Sequence, residues 1–204
     1  MSYLTDEEKA EAIKKWWSDN GAAVIGGLVL GIAGLFGWNW WTDRQASKAE
    51  VASEIYMAVL SHVNAGQHAQ ASALATELVE KGRRTPYAAM GWSLIADLAV
   101  RQEDDQRAIH ALEQAREAAR DKGYRQVVTL RLVRHLVVGE RFDEAEALLG
   151  EIRDEPFAGL RAELHGDVAR ARGQTERARE FYEEALAAGH NTEYLRLKLD
   201  ELSA

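Results

Sequence analysis

No cysteine occurs in the chain, which excludes disulfides, thiol nucleophiles and cysteine-based metal sites. That absence suits an oxidising or a reducing compartment equally and selects neither. Proline is confined to Pro86 and Pro156, while Ala, Leu, Glu and Arg dominate, a composition that favours helices. No stretch alternates apolar and polar residues for long, so no sheet is expected. Positive charge is scarce, with 25 Lys and Arg against 33 Asp and Glu. Neutralising phosphates needs a basic patch, so nucleic acid is not an expected partner.

What the chain does have is a long run without charge. From Asn20 to Thr42 there is no ionisable side chain across 23 residues, and the core reads GAAVIGGLVLGIAGLFGWNWW. A helix of about 20 apolar residues crosses a hydrocarbon layer of ~30 Å. Trp16 and Trp17 precede the run, and Trp38, Trp40 and Trp41 close it. At about 1.5 Å per residue the tryptophans at its two ends stand roughly 37 Å apart, near the separation of the two headgroup zones. Indole favours those zones because its ring is apolar and its N–H seeks a polar partner. The run is longer than the 7–15 apolar residues of a cleaved signal. It is expected to be an uncleaved membrane anchor.

The residues ahead of it, 1–19, read as a short lead-in helix. Thr5 and Glu8 form a capping box, and Asn20-Gly21 offers a break before the span. Lys9, Lys14 and Lys15 lie on this side, and Arg44 and Lys48 beyond the span. The positive-inside rule therefore favours a cytoplasmic N-terminus by a small margin. The count leaves open the opposite arrangement, in which a cytoplasmic domain recruits a soluble partner to the membrane. Within the span, Ala23, Gly27 and Gly31 recur every four residues, a face on which a second helix can approach closely. Glycine is also simply common in such helices.

Residues 43–204 read as an all-α domain built from repeats. Near its end, LRAELHGDVARARGQTERAREFYEEALAAGHN places Gly166, Gly173, Ala178, Tyr182 and Ala185 at the offsets of the tetratricopeptide pattern. His190 stands where that pattern usually has proline. Phe142, Ala145, Leu149 and Ile152 repeat its second helix. Trp92, Ile95, Ala96 and Ala99 carry a degenerate first helix, followed by Ala108, Leu112 and Ala115. The weakest copy rests on Gly66, Ala71, Ala75 and Leu78. Ala71, Ala108, Ala145 and Ala178 are 37, 37 and 33 residues apart, close to the roughly 34 of the pattern. A helical hairpin cannot bury its apolar face alone, so such units stack. Glu193 to Leu202, with Leu195, Leu199 and Leu202 on one face, caps the stack. The expected fold is all-α: a single transmembrane helix, 20–42, followed by a tetratricopeptide-like helical-hairpin solenoid of about four repeats plus a C-terminal capping helix.

Enzyme chemistry finds little support. The six histidines contain no His-Glu-x-x-His pair. Ser93, in Gly-Trp-Ser-Leu-Ile, lacks the second glycine of a nucleophile elbow, and no phosphate-cradling loop is present. His165, beside Gly166 and Asp167, is the sharpest catalytic candidate, although a helix-packing histidine is the better explanation of it. No catalytic residue, metal or cofactor is expected. Tetratricopeptide stacks usually bind polypeptides on the exposed side of each first helix. By repeat register that face comprises Met90, Ser93, Asp97 and Arg101, then Leu130, Arg134 and Val137, then Glu163, Asp167 and Arg170.

Taken together, the glycine-rich span ending GWNWW, the degenerate repeats and the closing LRLKLDELS resemble the YfgM family of bacterial inner-membrane proteins, ancillary subunits of the SecYEG translocon. The resemblance runs the whole length. It implies a single-pass protein of the inner membrane, its N-terminus cytoplasmic and its repeats periplasmic. It implies SecYEG and the membrane-anchored periplasmic chaperone PpiD as partners. The implied task is to help secreted or outer-membrane polypeptides pass from the channel to periplasmic chaperones. The departure from the family is the first repeat, with His62 and His68 where larger apolar residues are common.

Overall fold

The computed structural model describes residues 6–202. Among these residues every regular element is helical. Two compact units are present, Met1–Ser47 and Lys48–Ala204. Thr5, and with it the expected capping box, lies outside the described residues.

The first helix, α1 (Asp6–Asn64), is unbroken over 59 residues. The break expected at Asn20-Gly21 is absent. Within the continuous helix the Asn20 side-chain amide donates to the Trp16 carbonyl at 2.9 Å. The Trp17 indole lies over Gly21, covering the backbone that glycine would otherwise leave to water. Beyond Trp41 the helix runs on to Asn64, as the lack of Gly and Pro there allows.

One stretch of α1 is long and apolar enough to cross a membrane, with a mean hydropathy of 1.9 and only 6% of it buried. A core helix of a water-soluble domain would have that surface covered. Here Leu28, Leu30, Leu35 and Phe36 are exposed. Paired indoles mark both ends. The rings of Trp16 and Trp17 lie 6.4 Å apart, those of Trp38 and Trp41 5.6 Å, and the Arg44 guanidinium sits over Trp40.

In the second unit the chain forms helical hairpins. The end of α1 is followed by α2 (His68–Lys81), then come α3 (Tyr87–Arg101) with α4 (Asp105–Ala118), α5 (Lys122–Val138) with α6 (Phe142–Leu149), and α7 (Ala158–Ala171) with α8 (Thr175–Ala187). A short α9 (Glu193–Glu201) follows. The weak first copy does form a hairpin. Ala71, Ala75 and Leu78 of α2 are fully buried, as are Ala52 and Val59 of α1.

The turn inside each hairpin is the same device. Gly66, Glu103, Glu140 and Gly173 all have φ between 56° and 74°. The residue after each of them sends its N–H back five positions, as in Gln67 to His62 and Gln174 to Ala169. That pattern satisfies carbonyls left open at the end of the first helix and reverses the chain. Five residues later comes the buried alanine of the second helix, Ala71, Ala108, Ala145 or Ala178.

Between the helices of a hairpin, volume is exchanged at matched positions. Val59, Ala96, Val133 and Gly166 stand on the first helices; Ala75, Leu112, Leu149 and Tyr182 stand at the corresponding places on the second, and all are buried. Where the first is smallest, the second is largest. One apolar cluster joins Val59, Ile95, Leu112, Val133, Leu149 and Val168 through the first three hairpins into the fourth. A second joins Ala162, Ala178, Tyr182 and Ala185 to Leu195 of α9.

Candidate peptide-binding surface

The residues expected on the first-helix face fall into two groups. Asp97, Arg101, Arg134 and Arg170 are exposed, and Met90 and Val137 are half-buried. The other four are engaged inside the fold. Leu130 is buried in the core. Ser93 is buried, its hydroxyl 2.9 Å from that of Tyr124 on α5, so it joins neighbouring repeats and is withdrawn from the surface.

Glu163 and Asp167 are held by α9. Lys198 is 4% exposed and donates to Glu163 Oε1 at 2.7 Å and to both Asp167 oxygens at 2.6 and 2.7 Å. His190 Nε2 lies 2.7 Å from the other Glu163 oxygen, and the Tyr182 hydroxyl donates to Asp167 at 2.8 Å. The Lys198 ammonium also lies over the Tyr194 ring, 4.6 Å from its centre. Burial pushes the Glu163 carboxyl up, but the Lys198 hydrogen bond and charge, with those of His190, outweigh it and hold the group below its ordinary value. Burial, reinforced by Asp167, pushes the Tyr182 hydroxyl far up, so it stays a donor to that carboxylate at any ordinary pH. In the last repeat the inner carboxylates therefore bind the chain's own cap.

The same arrangement separates the two catalytic candidates. His165 Nδ1 is 3.1 Å from Glu146 and its ring stacks on Phe181, whereas Asp167 serves Lys198 and Tyr182. They belong to different hydrogen-bonded sets and form no acid–base pair. Among the described residues no group of three or more His, Asp or Glu could hold a metal ion.

Two clefts open along the first helices. One, of about 410 Å³, lies between α1 and α3 and is lined by Leu60, Val63, Leu94, Asp97, Val100 and Arg101. The other, of about 540 Å³, lies among α5, α7 and α9, where Arg134, Val137, Val138, Arg170, Tyr194 and Lys198 reach it. A third hollow of about 730 Å³, on the α4–α6 side, carries Glu113, Glu117, Glu144 and Glu151. It is laced by the ion pairs Arg116–Glu151 and Arg141–Glu144. Repeat register did not reach Leu60, Val63, Leu94 or Val138, nor the contributions of Tyr194 and Lys198 from α9.

A family model described as a tetratricopeptide repeat-like domain matches residues 14–204. The ancillary SecYEG translocon subunit of Aggregatibacter actinomycetemcomitans is 30% identical, over 91% of each chain. That of Haemophilus influenzae is 28% identical over 99% of this chain and 100% of its own length. The chain belongs to this family of ancillary SecYEG translocon subunits, the YfgM family.

The Escherichia coli protein of the same name is 27% identical over 98% of both chains. Solved structures support the fold. Pseudomonas aeruginosa PilF superposes with a TM-score of 0.61 at 17% identity, covering 76% of this chain and 69% of its own. A MamA double mutant gives 0.60 at 14% identity, covering 74% and 82%. The relatives are named as translocon subunits and their fold is that of a repeat scaffold. The chain is accordingly a scaffold and no enzyme.

Proposed function

We propose that the protein is anchored in the bacterial inner membrane by residues 20–42 and holds polypeptides beside the SecYEG translocon. Its lead-in, 1–19, would be cytoplasmic and its repeats, 43–204, periplasmic. Secreted or outer-membrane polypeptides would pass across its first-helix face to periplasmic chaperones, PpiD among them. Ala23, Gly27 and Gly31 are the proposed contact within the membrane; a methyl group added at Gly27 or Gly31 would meet open space, so the face is accessible to a second helix.

The observation that carries the reading is where apolar surface is left over. In the repeat unit the large apolar side chains that remain exposed are Val51 and Met57 on α1, Val100 on α3, Val127 and Val138 on α5, and Tyr194 and Leu197 on α9. All stand on first helices or on the cap. Among the described residues none is on α2, α4, α6 or α8. Second helices bury their apolar faces in the stack, while first helices retain some for a partner.

Isolating the full chain from membranes in mild detergent tests the reading. SecYEG and PpiD should come with it in amounts comparable to the chain itself. Recovery without either would contradict the assignment. A C-terminal alkaline phosphatase fusion, active only outside the cytoplasm, should be active; an inactive, stably produced fusion would turn the repeats toward the cytoplasm.

A further inference from the structure

Each of the two clefts keeps one guanidinium outside its internal pairs. In the α1–α3 cleft, Asp97 is paired with Arg131 of α5, which leaves Arg101. In the α5–α7–α9 cleft, Glu163 and Asp167 are bound by Lys198, and Arg170 is paired with Glu201 at 2.8 Å, which leaves Arg134. The other arginines of α3, α5 and α7 are all engaged: Arg125 donates to the Ala119 carbonyl at 2.6 Å and Arg161 to that of Ile152 at 2.7 Å. Among the described residues, Arg101 and Arg134 alone of this set have no carboxylate or carbonyl partner. Each cleft thus holds one guanidinium without a carboxylate or carbonyl partner, while every carboxylate lining it is already hydrogen-bonded, Glu163 and Asp167 sharing the single Lys198 charge. This occurs in a chain whose formal charge is −8.

Each of these guanidiniums lies beside apolar surface. Arg101 adjoins Val100, with Leu60, Val63 and Leu94 in the same cleft. Arg134 shares its cleft with Val137, Val138 and Tyr194. A guanidinium binds a carboxylate in a two-pronged hydrogen bond, and partial exclusion of water by apolar neighbours strengthens the attraction. From these juxtapositions we infer that the first-helix face selects extended polypeptide segments in which acidic side chains alternate with apolar ones, with Arg101 and Arg134 each taking one carboxylate. A segment rich in lysine or arginine meets two like charges and is disfavoured. This rests on the reading of that face as a peptide-binding surface and assigns the class of peptide it prefers.

The test uses the full chain in phosphatidylcholine nanodiscs and three labelled dodecapeptides, alternating Leu-Asp, Leu-Asn and Leu-Lys, with binding read by fluorescence anisotropy. The Leu-Asp peptide should bind at least tenfold more tightly than Leu-Asn, with Leu-Lys weakest. The Arg101→Gln/Arg134→Gln variant should lose the preference and bind Leu-Asp and Leu-Asn alike. Both side chains are exposed, so the variant folds as the parent does, and an unchanged circular dichroism spectrum verifies it. Equal binding of Leu-Asp and Leu-Asn by the parent would overturn the acidic preference and leave peptide binding standing. A preference that persists in the double variant would overturn the role of these two arginines. No binding of any peptide would overturn both the preference and the peptide-binding reading.

Discussion

At the scale of single residues, the fourth repeat is the most tightly specified. A β-carbon added at Gly166 would overlap two carbons at the edge of the Tyr182 ring. Gly166→Ala should therefore destabilise the repeat unit by about 1–3 kcal/mol, the usual cost of overpacking, read from the urea midpoint. Adding Tyr182→Leu should recover part of that loss, because Leu112 and Leu149 fill the same place opposite Ala96 and Val133. Additive losses would show that the two residues do not compete for one space. The turns behave in the opposite way. Glu103 and Glu140 occupy left-handed backbone at φ 58° and 56°, where a β-carbon costs about 1–2 kcal/mol. Part of that gain is offset by the greater freedom of unfolded glycine. Glu103→Gly and Glu140→Gly should each stabilise by about 0.5–1 kcal/mol on those grounds, while Gly173→Ala should destabilise.

At the scale of elements, α9 is the part whose role depends on tertiary contact. Its Leu195, Leu199 and Leu202 are readable in the sequence as a capping face, and Lys198 looks like one more solvated charge. Its spacing of three from Leu195 and four from Leu202 puts it on the apolar face, and that was the available signal. What could not be read is that Glu163 and Asp167, four apart on α7, would meet it. Repeat register puts both carboxylates on the first-helix face, but register says nothing of what covers that face. The buried alanines, with Gly66 and Gly173 before two of them, were legible because each repeat meets the same packing problem and solves it at the same offsets. Ser93 and Leu130 show the limit: their neighbours come from other elements. Asn20-Gly21 shows another, since a dipeptide whose local propensity favours a break lies inside a continuous helix.

The α9 contact has a pH signature. The folded Glu163 carboxyl is held below its unfolded value, so its contribution is present above about pH 4.3, the ordinary glutamate value. It is lost as pH falls through the lower folded value. Lys198→Met should destabilise the cap by about 3–5 kcal/mol at pH 7, because the buried Glu163 carboxylate loses its compensating cation and keeps only the His190 ring as a partner. In that variant the folded value rises above the unfolded one, so acidification should restore stability where it weakens the parent. Urea midpoints at pH 7 and pH 4 distinguish the two, and a parallel response in both proteins would contradict the assignment.

At the scale of the whole molecule, an anchor that leaves its apolar surface uncovered is joined to a stack that keeps its exposed apolar residues on one set of helices. Neither feature by itself names a task. Together with membership of a family whose relatives are named as translocon subunits, they support a scaffold that holds polypeptides at the inner membrane. The most direct test places a photo-crosslinking amino acid at Val138, 68% exposed on α5, and in a second protein at Ala147, exposed on α6. In living cells Val138 should capture translocon subunits, chaperone or exported polypeptides, and Ala147 should capture far less. Equal capture from both positions, or capture from Ala147 alone, would contradict the account.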